Sequence, residues 1–136
     1  MVTMETGLVE ISETTVQIIR TRKEITVVMP TLQNKGLFLK LTKSYNPSGM
    51  TPQQLYEATR KEWKINMKRT AQIEYVFALY KNVIVEVYKP TEWYVNLRTG
   101  RLMFEGELAP IEVRQACINQ YLSAVEGVRG PVIYNF

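Results

Sequence analysis

From residue 37 onward the apolar positions of this chain alternate in short runs, separated by proline, glycine and asparagine. Leu37, Leu39 and Leu41 alternate with Phe38 and Lys40, which predicts a half-buried strand. Two stronger runs, Ile73 to Tyr80 and Val83 to Tyr88, flank Lys81-Asn82. Asn tolerates the left-handed backbone of a tight hairpin, so these runs predict a two-residue turn, with Tyr80 opposite Val83 and Phe77 opposite Glu86. That register puts Val76, Ala78, Tyr80, Val83, Val85 and Val87 on one face. Tyr75, Phe77, Leu79, Ile84, Glu86 and Tyr88 fall on the other. Both faces are mainly apolar, so the hairpin should lie centrally and be covered on both sides. Pro90 is expected to end its second strand. Residues 91–100 read as a loop or bent strand closing in an Arg98-Thr99-Gly100 turn, and Arg101 to Leu108 as a further strand.

Helical signals are fewer. Thr51 is a good N-cap, Pro52 suits the first helical position, and Gln54 can close a capping box, after the turn cluster at 44–49. Asn66 can cap a short helical turn over Met67 to Ala71. Pro110 opens a second main helix, with Glu112 in its first turn and Ile111, Ile118, Tyr121, Leu122 and Val125 as its buried stripe. Gly127 and Gly130-Pro131 stop it, and Val132 to Phe136 reads as a last strand. Upstream, Leu8 to Ile11, Val16 to Arg20 and Ile25 to Met29 read as extended, although Ser12-Glu13 could also open a helix. Strands in runs with helices inserted between them give an α+β fold, a curved, mostly antiparallel sheet or barrel with two main helices. At 136 residues this is read as one domain, with 1–36 an N-terminal extension packed on it.

Composition narrows the chemistry. The chain has no His, which excludes His-dependent triads, His-based metal sites and the commonest general base. One cysteine, Cys117, allows no internal disulfide and no Cys zinc cluster; it reads as a small buried apolar residue. Its Glu side chains show no recognisable paired spacing. No Gly-rich phosphate loop or G-x-S-x-G elbow appears. The expectation is a non-catalytic protein without metal or cofactor, with no membrane partner, located in the cytoplasm.

The net charge of +4 gains meaning from its distribution: Arg60, Lys61, Lys64, Lys68 and Arg69 cluster, as do Arg20, Arg22 and Lys23. Along the first helix, which Ile65-Asn66 breaks, Tyr56, Arg60, Trp63 and Lys64 fall at i, i+4, i+7 and i+8, one stripe. With Arg69 they form a candidate ligand site, because Arg offers a planar fork to phosphate and Trp a stacking face to a base. The competing reading has Trp63 anchoring the helix in the core, Arg60 and Lys64 solvated, and Lys61 paired with Glu57. Trp93 with Tyr94 and Glu92 is a second candidate, an aromatic pair in the loop after the hairpin or the pin that holds that loop down. Glu86 is a third. It could read a base amino group, or form an ion pair with Arg60 or Arg69.

The phrases LYEATRKEWKIN, YVFALYKNVIVEVYK and GPVIYNF, in that order, resemble a PUA-like module of the ASCH or EVE type. They are similar to the domain that follows the nuclease domain in bacterial GIY-YIG proteins. Lys61 and Asn82 stand where glycines are usual there, and Val85 where an Arg is common. The nuclease half is missing. The resemblance implies a binding module without cutting chemistry, whose partner is RNA, single-stranded DNA or a nucleotide, and Arg60 has the same residue type in the resembled helix. The other class in view is a protein-interaction domain, a homo-oligomer or a regulatory partner of a nuclease or defence system.

Overall fold

A computed structural model describes residues 34–136. The extended stretches expected at 8–11, 16–20 and 25–29, the Arg20, Arg22, Lys23 cluster and nearly all of the extension 1–36 lie outside the described residues. The elements are β1 (Gly36–Lys40), α1 (Pro52–Arg60), α2 (Met67–Thr70), β2 (Tyr75–Tyr80), β3 (Val83–Val95), β4 (Leu102–Leu108), α3 (Ile111–Cys117), a 3-10 turn (Ser123–Val125) and β5 (Val132–Tyr134). The fold is α+β. Five strands form one sheet in the order β4-β3-β2-β1-β5. Every pairing is antiparallel except β1 with β2. Parallel neighbours need a crossover, and here it carries α1 and α2. The sheet is open, with β4 and β5 at its edges.

The leucines expected on a half-buried strand are buried on a strand covered on both faces: Leu37, Phe38 and Leu39 are all inaccessible to solvent. Their alternation separates two cores. Phe38 joins Phe77, Leu79, Ile84, Val87 and Cys117 on the α3 side. Leu37 and Leu39 join Val76, Ala78, Tyr88 and Phe104 on the α1 side.

The hairpin turn forms as expected, with Lys81 at φ 50° and Asn82 at φ 66°, and Tyr80 faces Val83. Phe77, however, faces Val87, and Ala78 faces Glu86. A bulge between Ala78 and Leu79 adds one residue on β3 and switches the alternation beyond it. Val87 therefore packs with Phe77 and Leu79, and Tyr88 packs with Val76 and Ala78.

Two further expectations are corrected. Pro90 does not end the strand; β3 continues to Val95, so of the two readings of residues 91–100 the bent strand holds as far as Val95, and Trp93 and Tyr94 lie on it. A second bulge between Pro90 and Glu92 accommodates the proline's missing N–H. Gly106 faces Pro90, and a Cβ there would lie 2.4 Å from the Lys89 carbonyl oxygen. The long second helix does not form either. It stops at Cys117, and Asn119 turns the chain at φ 77°. From there the backbone bonds to the hairpin: Asn119 N–H donates to Ile84 O, Ile84 N–H to Gln120 O and Leu122 N–H to Asn82 O. Ile118, Tyr121, Leu122 and Val125 still reach the core, but from an irregular segment, while Ile111 is 55% exposed.

Candidate functional site

Helix α1 starts as its sequence dictates. Gln54 N–H donates to Thr51 Oγ1 and Thr51 N–H to Gln54 Oε1, the reciprocal capping box. It ends at Arg60, where Lys61 turns extended. The expected stripe is therefore cut after its second member. Trp63 pairs with β4, its N–H donating to Leu102 O at 3.0 Å and its carbonyl accepting from Leu102 N–H at 2.9 Å. Its indole Nε1 returns to Thr59 O at 2.8 Å. Lys64 is exposed, and the Lys61–Glu57 pair forms at 3.6 Å.

Tyr56 and Arg60, one turn apart, face β4. The Tyr56 phenol accepts from Gly106 N–H at 3.0 Å. Arg60 donates through Nε to Phe104 O at 3.0 Å, through Nη2 to Tyr94 Oη at 2.5 Å and through Nη1 to Glu57 at 3.2 Å. Glu105 is 3.8 Å away, and only 12% of the Arg60 side chain is exposed. Burial disfavours its charge, but Tyr94 and Glu57 outweigh burial and raise its pKa. Leu102, Phe104 and Gly106 share one backbone side of β4, which Trp63, Arg60 and Tyr56 cover in turn. An edge strand left open invites another chain to pair with it. Three of the residues expected to hold a ligand thus cover the edge of their own sheet. Trp93, a fourth, is half-buried, its ring centroid 5.3 Å from that of Phe104.

Glu86 pairs with neither Arg60 nor Arg69. Arg114 of α3 grips it through Nε at 2.7 Å and Nη2 at 2.9 Å. The hydrogen bond to Glu86 raises the Arg114 pKa. The carboxylate is 13% exposed and its partner 25%, so this is a largely internal ion pair.

Arg69 stands apart from all of these. Asn66 caps α2 by accepting from Lys68 N–H, as its sequence predicts. The helix then lays the Arg69 guanidinium over the Tyr134 ring, 3.7 Å from its centroid, and over Phe136 at 4.7 Å. Arg69 also donates to the Phe136 main-chain oxygen. Lys35 Nζ lies 5.8 Å from the Phe136 centroid. Among the described residues no side-chain carboxylate comes within ion-pair distance of Lys35, Lys64, Lys68 or Arg69. Sequence reasoning singled out Arg69 but missed Tyr134 and Phe136. Their spacing of two on a strand was the available signal, since it places both rings on one face.

Among the described residues no three His, Cys, Asp or Glu side chains converge on a metal position, and no helix is long and apolar enough to cross a membrane. Comparison with known proteins found no matching family model, no matching curated protein and no matching solved structure.

Proposed function

We propose that this chain is a non-catalytic module that binds nucleic acid or a nucleotide, through Arg69, Tyr134, Phe136 and Lys35 rather than through Arg60 and Trp63. The observation that carries the reading is the Arg69 guanidinium, 3.7 Å from the Tyr134 ring centroid and 4.7 Å from that of Phe136, two half-buried rings set nearly at right angles, with no side-chain carboxylate within ion-pair distance among the described residues. A guanidinium plane and aromatic faces both stack on bases, and a lysine beside them neutralises phosphate. Stacking on an aromatic contributes about 1–3 kcal/mol per base in single-strand binders. The basic balance of the chain and the ordered motifs that resemble PUA-like modules support the same reading. A cytoplasmic location belongs to it as well.

The test is fluorescence anisotropy with labelled RNA, labelled single-stranded DNA and nucleotides at low salt. Arg69→Gln should weaken binding about tenfold, the equivalent of about 1.4 kcal/mol, and Arg60→Gln should leave it unchanged. Affinity should fall as salt rises. An unmodified chain that binds none of these probes at low salt overturns the proposal.

A second reading, a homo-oligomer, is favoured by one observation. Leu108, the last residue of edge strand β4, and Ile111, the first of α3, are 49% and 55% exposed. Light scattering that reports a monomer removes it.

A further inference from the structure

The turn between β3 and β4 holds a leucine out in solvent on a backbone braced by hydrogen bonds. Leu97 is 91% exposed. Around it Arg98 N–H donates to Asn96 Oδ1, Gly100 N–H to Asn96 O and Arg101 N–H to Thr99 Oγ1. Glu62, from the segment after α1, clamps the same turn. Its carboxylate accepts from Asn96 Nδ2 at 2.8 Å and from Thr99 Oγ1 at 3.1 Å. The turn is ordered before any partner arrives, so presenting Leu97 costs little further entropy. Arg98, Arg101 and Lys64 stand beside it, all exposed. Among the described residues no side-chain carboxylate is within ion-pair distance of any of the three. The carboxylate that does reach this turn, Glu62, is engaged by Asn96 and Thr99 instead. The bridge between Trp63 and Leu102 sets Lys64 opposite Arg101. From there the chain runs toward Arg69 along the surface. Lys64, Asn66, Met67 and Lys68 are exposed, and only Ile65 is buried. Asn66 N–H donates to the Tyr134 hydroxyl at 3.3 Å. The three-residue step from Trp63 to Asn66 spans at most ~11 Å, so the base of the turn lies within about 14 Å of that hydroxyl.

We infer that a single strand held at Arg69 continues over Lys68 and Lys64 to the β3–β4 turn, where Arg98 and Arg101 bind phosphates and Leu97 packs on a base. The inference rests on the proposed nucleic-acid reading and adds to it a second contact and the path that leads there. The path is open because its residues are exposed, and its cations have no carboxylate partner among the described residues. Each cation that meets a phosphate releases condensed counterions, which makes that contact salt-dependent. Leu97 adds a contact that salt does not weaken, as apolar side chains do where they pack against bases. At ~3.4 Å per nucleotide, about 14 Å corresponds to about four nucleotides, so a dinucleotide reaches Arg69 only. A strand held at both points binds tighter, because its second contact is intramolecular.

The experiment follows the anisotropy of fluorescein-labelled uridine and thymidine oligomers of two and eight nucleotides across a salt series. It uses the unmodified chain, the double variant Arg98→Gln/Arg101→Gln, Leu97→Ser and Arg69→Gln, each checked for folding by circular dichroism. A control removes two exposed cations from the opposite end of the sheet, Lys43→Gln with Lys81→Asn (Asn tolerates the positive φ of that position). Arg98→Gln/Arg101→Gln should weaken eightmer binding about tenfold and lower its salt slope by about 1.4, at about 0.7 per phosphate contact. The dinucleotides should bind this variant as before. Leu97→Ser should weaken the eightmers severalfold with the slope unchanged. Arg69→Gln should weaken both lengths, and the control neither. Full eightmer affinity in either turn variant, or an unchanged slope in the double variant, overturns the inference while the nucleic-acid reading stands. An equal loss in the control does the same. Binding of neither length by the unmodified chain at low salt removes both.

Discussion

The Nε of Arg60 donates to the main-chain oxygen of Phe104 at 3.0 Å, joining a helix to the open side of an edge strand. Tyr56 and Trp63 bond the same side of β4 at Gly106 and Leu102. The pairing of β4 with its helix is thus made largely by side chains in place of a sixth strand.

Arg60→Gln should destabilise the fold by about 2 kcal/mol, because hydrogen bonds from a charged donor contribute about 1.5–3 kcal/mol and the side chain is largely buried. Urea denaturation measures this. A change within error would mean that the edge contacts carry no stability. Faster aggregation is expected alongside, as the outward oxygen of Phe104 loses its donor.

Gly106→Ala should cost more than about 2 kcal/mol. The added methyl would meet Lys89 O at 2.4 Å and the Pro90 Cα at 2.9 Å, both backbone, so the second bulge must move. A thermal melt equal to that of the parent chain would contradict this close approach.

Arg114→Leu should destabilise by about 2–3 kcal/mol, below the full range for breaking a buried pair because Arg114 is a quarter exposed. Adding Glu86→Leu should recover much of the loss, since no carboxylate is then left without its partner. Additive losses in the double variant would show the two side chains to be uncoupled.

Burial pushes the Cys117 thiol from its ordinary 9.0 up to about 12. Burial raises Tyr75 and Tyr88 as well, with Glu74 and Glu86 adding to the respective shifts. Below about pH 8 the folded and unfolded chains both keep these protons, and stability is independent of them. Above it the unfolded chain releases protons that the folded chain retains, so stability falls as pH rises, by at most about 1.4 kcal/mol per pH unit for each group. Urea midpoints between pH 7 and 11 should decline from about pH 9, and less steeply in Cys117→Ala. Thiol reagents should label Cys117 only on unfolding; rapid labelling of the native chain would contradict its burial.

Local chemistry was legible wherever one or two residues decide the outcome. The Thr51 capping box, the Asn66 cap, the Lys81-Asn82 turn and the Gly100 turn all form where their residue types place them. Each depends on backbone geometry that a few neighbouring side chains set by themselves. The strand runs and the α+β class follow in the same way from alternation of apolar positions.

Contacts between distant segments decided the rest. Nothing local distinguishes a helix that ends at Arg60 from one that runs to Lys64; the bridge between Trp63 and Leu102 does. The bulge between Ala78 and Leu79 shifts the register by one residue and is compensated only when Val87 and Tyr88 reach their separate cores. Arg69 acquires its aromatic platform from Tyr134 and Phe136, more than sixty residues away in sequence. Residue type set which groups could stack, donate or carry charge. Whether they turn inward to an edge strand or outward to a ligand depends on backbone hydrogen bonds and core packing between parts of the chain that only the assembled sheet brings together.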